Sequence, residues 1–438
     1  TVRVTAAAGA IPATNAMANA AMTTRRMGIL LSETMTGALS SPGGNGPARK
    51  ARFDGRANRK TRMSRVIVCV LDSGGVGALP DAGIYGDTGG ANTLANVAER
   101  LGGLRLPHFA ELGLGRITPL RGVSAPDYPH ARFGRLAERS KGKDTITGHW
   151  EMAGIITDVP FPTYPHGFPS DVVDAFTAIV GKPPLANVPA SGTEIIAQLG
   201  EEHQRTGRPI LYTSADSVFQ VAAHESTVPL AQLYAWCEAA RAMLVAPHNV
   251  NRVIARPFTG VPGAYERTAN RRDYAIEPPP CVLDRLAAHN VPVHAIGKIC
   301  DIYCGHGITT SDRVPDNAEA IDKSLERLAA LEAGFVFVNL NDFDSKYGHR
   351  RDVRGYGAAL EALDARVPEL LAALRGGDRL IFTADHGCDP TQPGTDHTRE
   401  YVPFLEVGPD VLPEDLGIIA GLDYVGACVE ASLLGARV

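Results

Sequence analysis

Three apolar runs, each closing on an aspartate, constrain this chain more than any other feature. Arg65-Val66-Ile67-Val68-Cys69-Val70-Leu71 runs into Asp72, and Gly334-Phe335-Val336-Phe337-Val338-Asn339-Leu340 runs into Asn341-Asp342-Phe343-Asp344. Leu380-Ile381-Phe382 leads into Asp385-His386. Runs without polar alternation are the pattern of strands covered on both faces, as in a parallel sheet flanked by helices. Functional groups in such sheets gather beyond the carboxyl ends of the strands. Asp72, Asp344 and Asp385 are therefore expected on a single rim of one α/β sheet.

The stretch 383–400, TADHGCDPTQPGTDHTRE, holds the densest chemistry. Asp385-His386 is followed, after a loop punctuated by Gly387 and Gly394, by a second acid-imidazole pair, Asp396-His397. A hard carboxylate and a borderline imidazole delivered to one point can cage a divalent cation. A polar loop capping a strand is the alternative for one such pair; two pairs behind a buried strand favour the cage. With His349 beyond Asp344, the rim pools Asp72, Asp344, His349, Asp385, His386 and His397. Six mixed oxygen and nitrogen ligands suit two divalent ions, which can stabilise the entering and leaving oxygens of a phosphoryl displacement. The carboxylate-rich set favours manganese or a similar hard ion. There is no G-x-x-x-x-G-K-[ST] loop and no kinase motif set, which disfavours nucleotide-driven transfer.

Composition narrows the setting. The seven cysteines are scattered and lack a C-x-x-C, the usage of a reduced, cytosolic compartment. No apolar run approaches the length of a membrane span. Residues 1–62 carry ten Lys or Arg against Glu33 and Asp54, and show no sustained apolar period. They are expected to be a disordered or mis-assigned extension, or an organelle-type leader. The remainder holds 33 basic and 46 acidic residues, a formal charge of −13, which would repel a nucleic acid.

The middle of the chain is bracketed by two proline-rich joints, Asp158-Val159-Pro160-Phe161-Pro162 and Ile276-Glu277-Pro278-Pro279-Pro280. Such a bracket predicts an inserted α/β domain over 160–276, dividing a core formed by 63–159 and 277–438. Inside it, Arg256, Arg267, Arg271 and Arg272 crowd a glycine-containing loop; solvated surface and phosphate recognition are both open readings. Ahead of the first joint, Lys141-Gly142-Lys143-Asp144-Thr145-Ile146-Thr147-Gly148-His149-Trp150-Glu151 leads into a helix-like stretch. Thr145 and Thr147 are candidates for its N-cap. The sharper reading makes Thr145 a nucleophile whose alkoxide a cation stabilises.

Taken together, D-S-G-G-V-G (72–77), G-K-D-T-I-T-G-H-W-E (142–151), Y-T-S-A-D-S (212–217), I-G-K-I-C-D-I-Y (296–303), D-F-D-x-x-x-G-H-R-R-D (342–352) and the 383–400 stretch resemble the phosphopentomutases, metal-dependent members of the alkaline-phosphatase superfamily. The resemblance runs from about residue 63 to the C-terminus. It implies an alkaline-phosphatase-like core, with a mostly parallel sheet flanked by helices and a smaller inserted cap. It also implies interconversion of the 1- and 5-phosphates of ribose and deoxyribose, small-molecule substrates, and a cytoplasmic setting. One manganese would lie with Asp344, His349 and His397, the other with Asp72, Asp385 and His386. Thr145 would carry the phosphoryl group, with a sugar bisphosphate as intermediate and activator. Ser214, Asp216, Arg256, Arg271 and Lys298 match positions that hold the sugar phosphate.

Departures are few. Cys388 stands where an Asn is familiar and Cys300 where a Ser is. Asn92 and Ala95-Asn96 replace an acid and a Gly-His, so no role is carried over to them. A cofactor-independent phosphoglycerate mutase or a metal-dependent phosphomonoesterase on the same scaffold is the alternative, although those mutases typically use a Ser nucleophile.

Overall fold

The computed structural model describes residues 64–436, apart from 88, 215 and 216. The basic stretch 1–62 and Asp216 therefore lie outside the described residues. In chain order the strands are β1 (Arg65–Leu71), β2 (Arg132–Ala137), β3 (Leu185–Pro189), β4 (Ile210–Thr213), β5 (Val218–His224), β6 (Arg252–Val261) and β7 (Ala264–Arg267). They continue as β8 (Arg272–Ala275), β9 (Val293–Ile296), β10 (Thr310–Asp312), β11 (Gly334–Leu340), β12 (Arg379–Thr383), β13 (Val402–Val407) and β14 (Glu414–Ala420).

Eight of them form one sheet in the order β10-β9-β11-β1-β12-β13-β2-β14. Every neighbouring pair is parallel except the two that β13 makes. The expected aspartate-ending runs are its three central strands, with Cys69 of β1 in register with Val338 of β11 and Phe382 of β12. Every residue of β1 and β11 is buried, as unbroken apolar patterns require. The helices Asp423–Leu434 and Asn317–Ala330 pack on β1 and β11. Because β13 alone runs backwards, the carboxyl ends of β9, β11, β1, β12 and β2 and the amino end of β13 share one rim. That rim is where the candidate site must assemble.

The other six strands form a second sheet, β3-β4-β5-β6-β7, with β8 also paired to β6. It has its own apolar cluster, in which Phe168, Phe176 and Phe219 pack with Leu233 and Cys237. A direct tie to the larger sheet's side of the chain is Asn251, whose amide donates to Asp144 Oδ1 at 3.3 Å. Among the described residues no helix is long and apolar enough to cross a membrane.

At the rim's opposite end, Arg65 and Asp378 are an ion pair buried to 1% and 2% exposure. Arg65 donates from its backbone N and its Nε to the two carboxylate oxygens, both at 2.9 Å, and its remaining nitrogens reach the carbonyls of Leu328 and Ala373. Burial pushes the Asp378 carboxyl upward, but the hydrogen bonds from Arg65 and from Arg375 N outweigh it and hold the group below the usual carboxylate range. A depressed folded-state value means a stabilisation present at neutral pH and lost only as the pH falls through that value. Asp378→Ala strands a buried guanidinium, so it is expected to cost about 3–5 kcal/mol in urea unfolding at pH 7. A loss under about 1 kcal/mol would show the pair to be dispensable.

Candidate metal centre

Each candidate ligand sits at the rim for a reason set by its strand. Asp72 is the first residue past β1 and Asp385 the second past β12. Asp344 lies in a π-type turn, Phe343–Gly348, that follows β11, and His349 closes it, its N donating to Asp344 O at 3.1 Å. His397 lies just ahead of β13, and Lys298 just past β9. Ser73, a non-glycine residue with φ +80°, turns its N–H onto Asp385 Oδ1 at 3.0 Å while Tyr356 holds its carbonyl. Left-handed backbone at a side chain other than glycine is costly and here fixes the Asp385 carboxylate.

The structure brings all six together. Ligand atoms of Asp72, Asp385 and His386 lie within 4.8 Å of one another, as do those of Asp344, His386 and His397. The His386 and His397 rings are 4.1 Å apart and those of His349 and His397 4.6 Å apart, between centroids. Asp72 Oδ1, Asp344 Oδ1 and Asp385 Oδ2 are buried with no hydrogen-bond partner. Each instead faces an imidazole Nε2. His386 Nε2 is 3.6 Å from Asp72 Oδ1 and 3.2 Å from Asp385 Oδ2; those of His349 and His397 are each 3.3 Å from Asp344 Oδ1. His386 and His349 place Nδ1 against backbone carbonyls, Gly387 O at 3.0 Å and Thr395 O at 2.6 Å. Donation from Nδ1 orients the imidazole and leaves Nε2 as the lone-pair atom. Buried carboxylate oxygens gathered against imidazole Nε2 atoms are the donor set of a cation site, and the residues fit one.

The charges agree. Burial and the neighbouring Asp385 push the Asp72 carboxyl up to about 6, against the pull of Lys298. Burial also acts on Asp344, yet His397 and His349 keep it well below the usual range. The His386 imidazole would be lowered by burial, but Asp385 and Asp72 raise it well above its ordinary value. Acids and imidazoles this close share protons, and a divalent cation binds the deprotonated set in their place.

Thr145 opens the helix Thr145–Met152, and its Oγ1 is 3.2 Å from His386 Nε2. It is not the cap. Asp144 is, accepting from the backbone N of Ile146 and Thr147 at 3.1 and 3.2 Å, while the Thr147 hydroxyl also donates to Asp144 at 2.6 Å. The hydroxyl of Thr145 is thereby released from capping. A Cβ at Gly148 would meet Asp385 O at 2.3 Å, so only glycine lets this helix lie against the metal-side loop.

The expected sugar-phosphate residues divide. Lys298 Nζ stands at the rim, 3.7 Å from Asp72 Oδ2 and 3.9 Å from Asp344 Oδ2. A cleft of about 200 Å³ lined by Lys298, Asn317, Asn339 and Asn341 opens there. Ser214 follows β4 on the second sheet, as Arg256 lies on β6 and Arg271 between β7 and β8. Burial and the adjacent Arg271 push the Arg256 guanidinium down to about 10, the mark of cations crowded without enough counter-charge. Arg271 engages Asp273 with two nitrogens, at 2.6 and 2.5 Å. Arg272 is committed elsewhere, 4.0 Å over the Tyr234 ring.

Gly75 makes room for the buried Glu400 carboxylate, 2.3 Å from where a Cβ would stand. Cys388, which stands where an Asn is familiar, has its Sγ within 4.8 Å of ligand atoms of Asp344 and His349. Burial and Asp344 push that thiol well above its usual range, so it stays a weak protonated donor. Asn92 and Asn96, left without a role, both donate to Asp389 Oδ2, at 3.2 and 2.6 Å. The buried His149 and Asn339 beside the acids also went unassigned, although G-H-W-E marked the first.

The sheet, its helices and this rim define a metalloenzyme, and residues 64–433 match the Metalloenzyme superfamily. A protein named phosphopentomutase in Caldanaerobacter subterraneus subsp. tengcongensis is 54% identical over 350 residues, 80% of this chain and 88% of that one. Another of that name, in Desulfitobacterium hafniense, is 51% identical over 375 residues, 85% of this chain and 96% of that one. The chain belongs to the phosphopentomutase family. Looser likenesses among solved structures include a phosphoglycerate mutase of Leishmania mexicana, 14% identical with a TM-score of 0.43, covering 86% of this chain and 96% of that one.

Proposed function

We propose that the protein interconverts ribose 1-phosphate and ribose 5-phosphate, and the corresponding deoxyribose pair, through a phosphothreonine at Thr145. The observation that carries this reading is the Thr145 hydroxyl, uncommitted to capping and 3.2 Å from His386 Nε2, beside three buried carboxylate oxygens without hydrogen bonds. Asp344, His349 and His397 would hold one divalent cation and Asp72, Asp385 and His386 the other, manganese being the ion that suits a carboxylate-rich set. Such a pair, when bound, supplies positive charge that favours the threonine alkoxide and balances the phosphoryl oxygens.

The chain's own residues do the rest. Phosphorylated Thr145 gives its phosphoryl group to the free 5-hydroxyl of ribose 1-phosphate, and the Thr145 oxygen becomes the leaving group. The resulting 1,5-bisphosphate turns end for end, and Thr145 Oγ1 attacks the 1-phosphate, releasing ribose 5-phosphate. A bisphosphate added from outside would phosphorylate an empty Thr145 and so activate the protein. Arg256, Arg271, Ser214 and Asp216, in a cap over 160–276, would grip the distal phosphate, with Lys298 on the core formed by 63–159 and 277–438. Guanidinium forks match phosphate oxygens, and the lowered Arg256 is a cation in want of an anion. Scattered thiols suit a cytoplasmic setting.

Incubation with ribose 1-phosphate, ribose 5-phosphate and 3-phosphoglycerate, each with Mn2+, tests the reading. Interconversion of the two pentose phosphates with under about a tenth of the label as free phosphate is the expected result. Free phosphate as the dominant product would make the protein a phosphomonoesterase, and turnover of phosphoglycerate alone would make it the other mutase.

A further inference from the structure

Two buried side chains that the proposed mechanism does not use join the nucleophile's helix to both acids of one cation position. Asn339, on β11, donates its amide to Asp72 Oδ2 at 2.8 Å, and the same Nδ2 is 3.4 Å from His149 Nε2. His149, one turn past Thr145, has Nδ1 2.9 Å from Thr145 O and 3.1 Å from Asp385 Oδ2. Exposure is 0% for His149, Asp72 and Asp385 and 1% for Asn339, so no bulk water can stand in for any of these contacts.

The partners fix the hydrogens. Nδ1 meets only acceptors, a carbonyl and a carboxylate, so it carries the hydrogen; Nε2 meets an amide N–H, so it accepts. Asn339 must present nitrogen to Asp72, because an amide oxygen there would oppose a carboxylate. With Oδ2 of Asp72 taken by Asn339, its Oδ1 is the oxygen left without a hydrogen bond. Asp385 is divided by backbone donors: Oδ1 accepts from the backbone N of Ser73 and His386, at 3.0 and 3.1 Å, and Oδ2 faces the imidazoles of His386 and His149, at 3.2 and 3.1 Å.

We propose that His149 and Asn339 are positioning residues. Asn339 selects which oxygen of Asp72 faces the cation, and His149 ties Asn339 and the Asp385 carboxylate to the backbone of Thr145. This rests on the two-cation reading above. Outer partners of this kind are worth about 10- to 100-fold in metal affinity.

The test is calorimetric titration of Mn2+ into the metal-free protein, with kinetics on ribose 1-phosphate alongside. His149→Phe keeps the ring and removes both nitrogens; Asn339→Leu keeps the shape and removes the amide. In each, one of two Mn2+ affinities is expected to fall about 10- to 100-fold while the other moves less than about threefold. The value of kcat is expected to fall with KM for ribose 1-phosphate within about twofold. His149→Asn, which can return a donor near the Nδ1 position, should recover part of both losses. Should His149→Phe fail to fold, Asn339→Leu carries the comparison. If the parent protein binds two Mn2+ and Asn339→Leu and any folded His149→Phe bind both as tightly, the positioning role is overturned. A parent protein that binds no Mn2+ would overturn the cation reading beneath it as well.

Discussion

Thr145→Ala is expected to lower pentose phosphate interconversion by roughly 10⁴-fold or more, because it removes the hydroxyl on which the proposed covalent step depends. The substitution is clean in this fold. Asp144 rather than Thr145 caps the helix, and alanine is the best helix former at the position it would occupy. Stability should therefore change by less than about 0.5 kcal/mol, which separates loss of chemistry from loss of fold. Thr145→Ser should retain measurable turnover, since the hydroxyl returns without its methyl. Peptide mass spectrometry after exposure to ribose 1,5-bisphosphate should find about 80 Da on the peptide carrying Thr145 in the parent protein and none in the alanine variant. Full turnover by Thr145→Ala would eliminate the phosphothreonine route.

Removing divalent cations is the second large effect. Exhaustive chelation is expected to bring turnover to background, and Mn2+ to restore it. The melting temperature should fall as well. A ligand held at about 1,000 times its Kd contributes about 4 kcal/mol to the folded state. Here its removal also leaves Asp72, Asp344 and Asp385 facing one another across a buried rim, with Lys298 and the imidazoles to balance them. Activity lost with no change in melting temperature would place the chelated ion away from this rim. Activity kept throughout would mean that the six side chains serve something other than a cation.

Much of this was legible in the sequence, and the reason is local. β1 and β11 are unbroken apolar runs, so their existence, direction and bounds could be read from residues within a few positions of one another. The rule that groups collect at carboxyl ends then placed Asp72, Asp344 and Asp385 on one rim without any knowledge of pairing. What could not be read depends on register between distant segments. Asn339 reaches Asp72 because Val70 pairs with Asn339 and Leu71 with Leu340 across more than 260 residues, and nothing near Asn339 announces this. Gly75 and Glu400 are a similar case, a glycine kept small by a carboxylate from the far end of the chain. At Asp144-Thr145-Ile146-Thr147 the difficulty was the opposite, with three capping residues so close that pattern alone could not choose among them. The arginines divided for a third reason: Arg272 stacks on Tyr234, a contact made by the second sheet's fold rather than by its loop.

The most direct measurement is anomalous diffraction from crystals of the Mn2+-loaded protein. Two peaks are expected, one among Asp72, Asp385 and His386 and one among Asp344, His349 and His397, with Thr145 Oγ1 in reach of at least one. A single peak, or peaks lying away from the Thr145 hydroxyl, would contradict a two-cation site built for phosphoryl transfer.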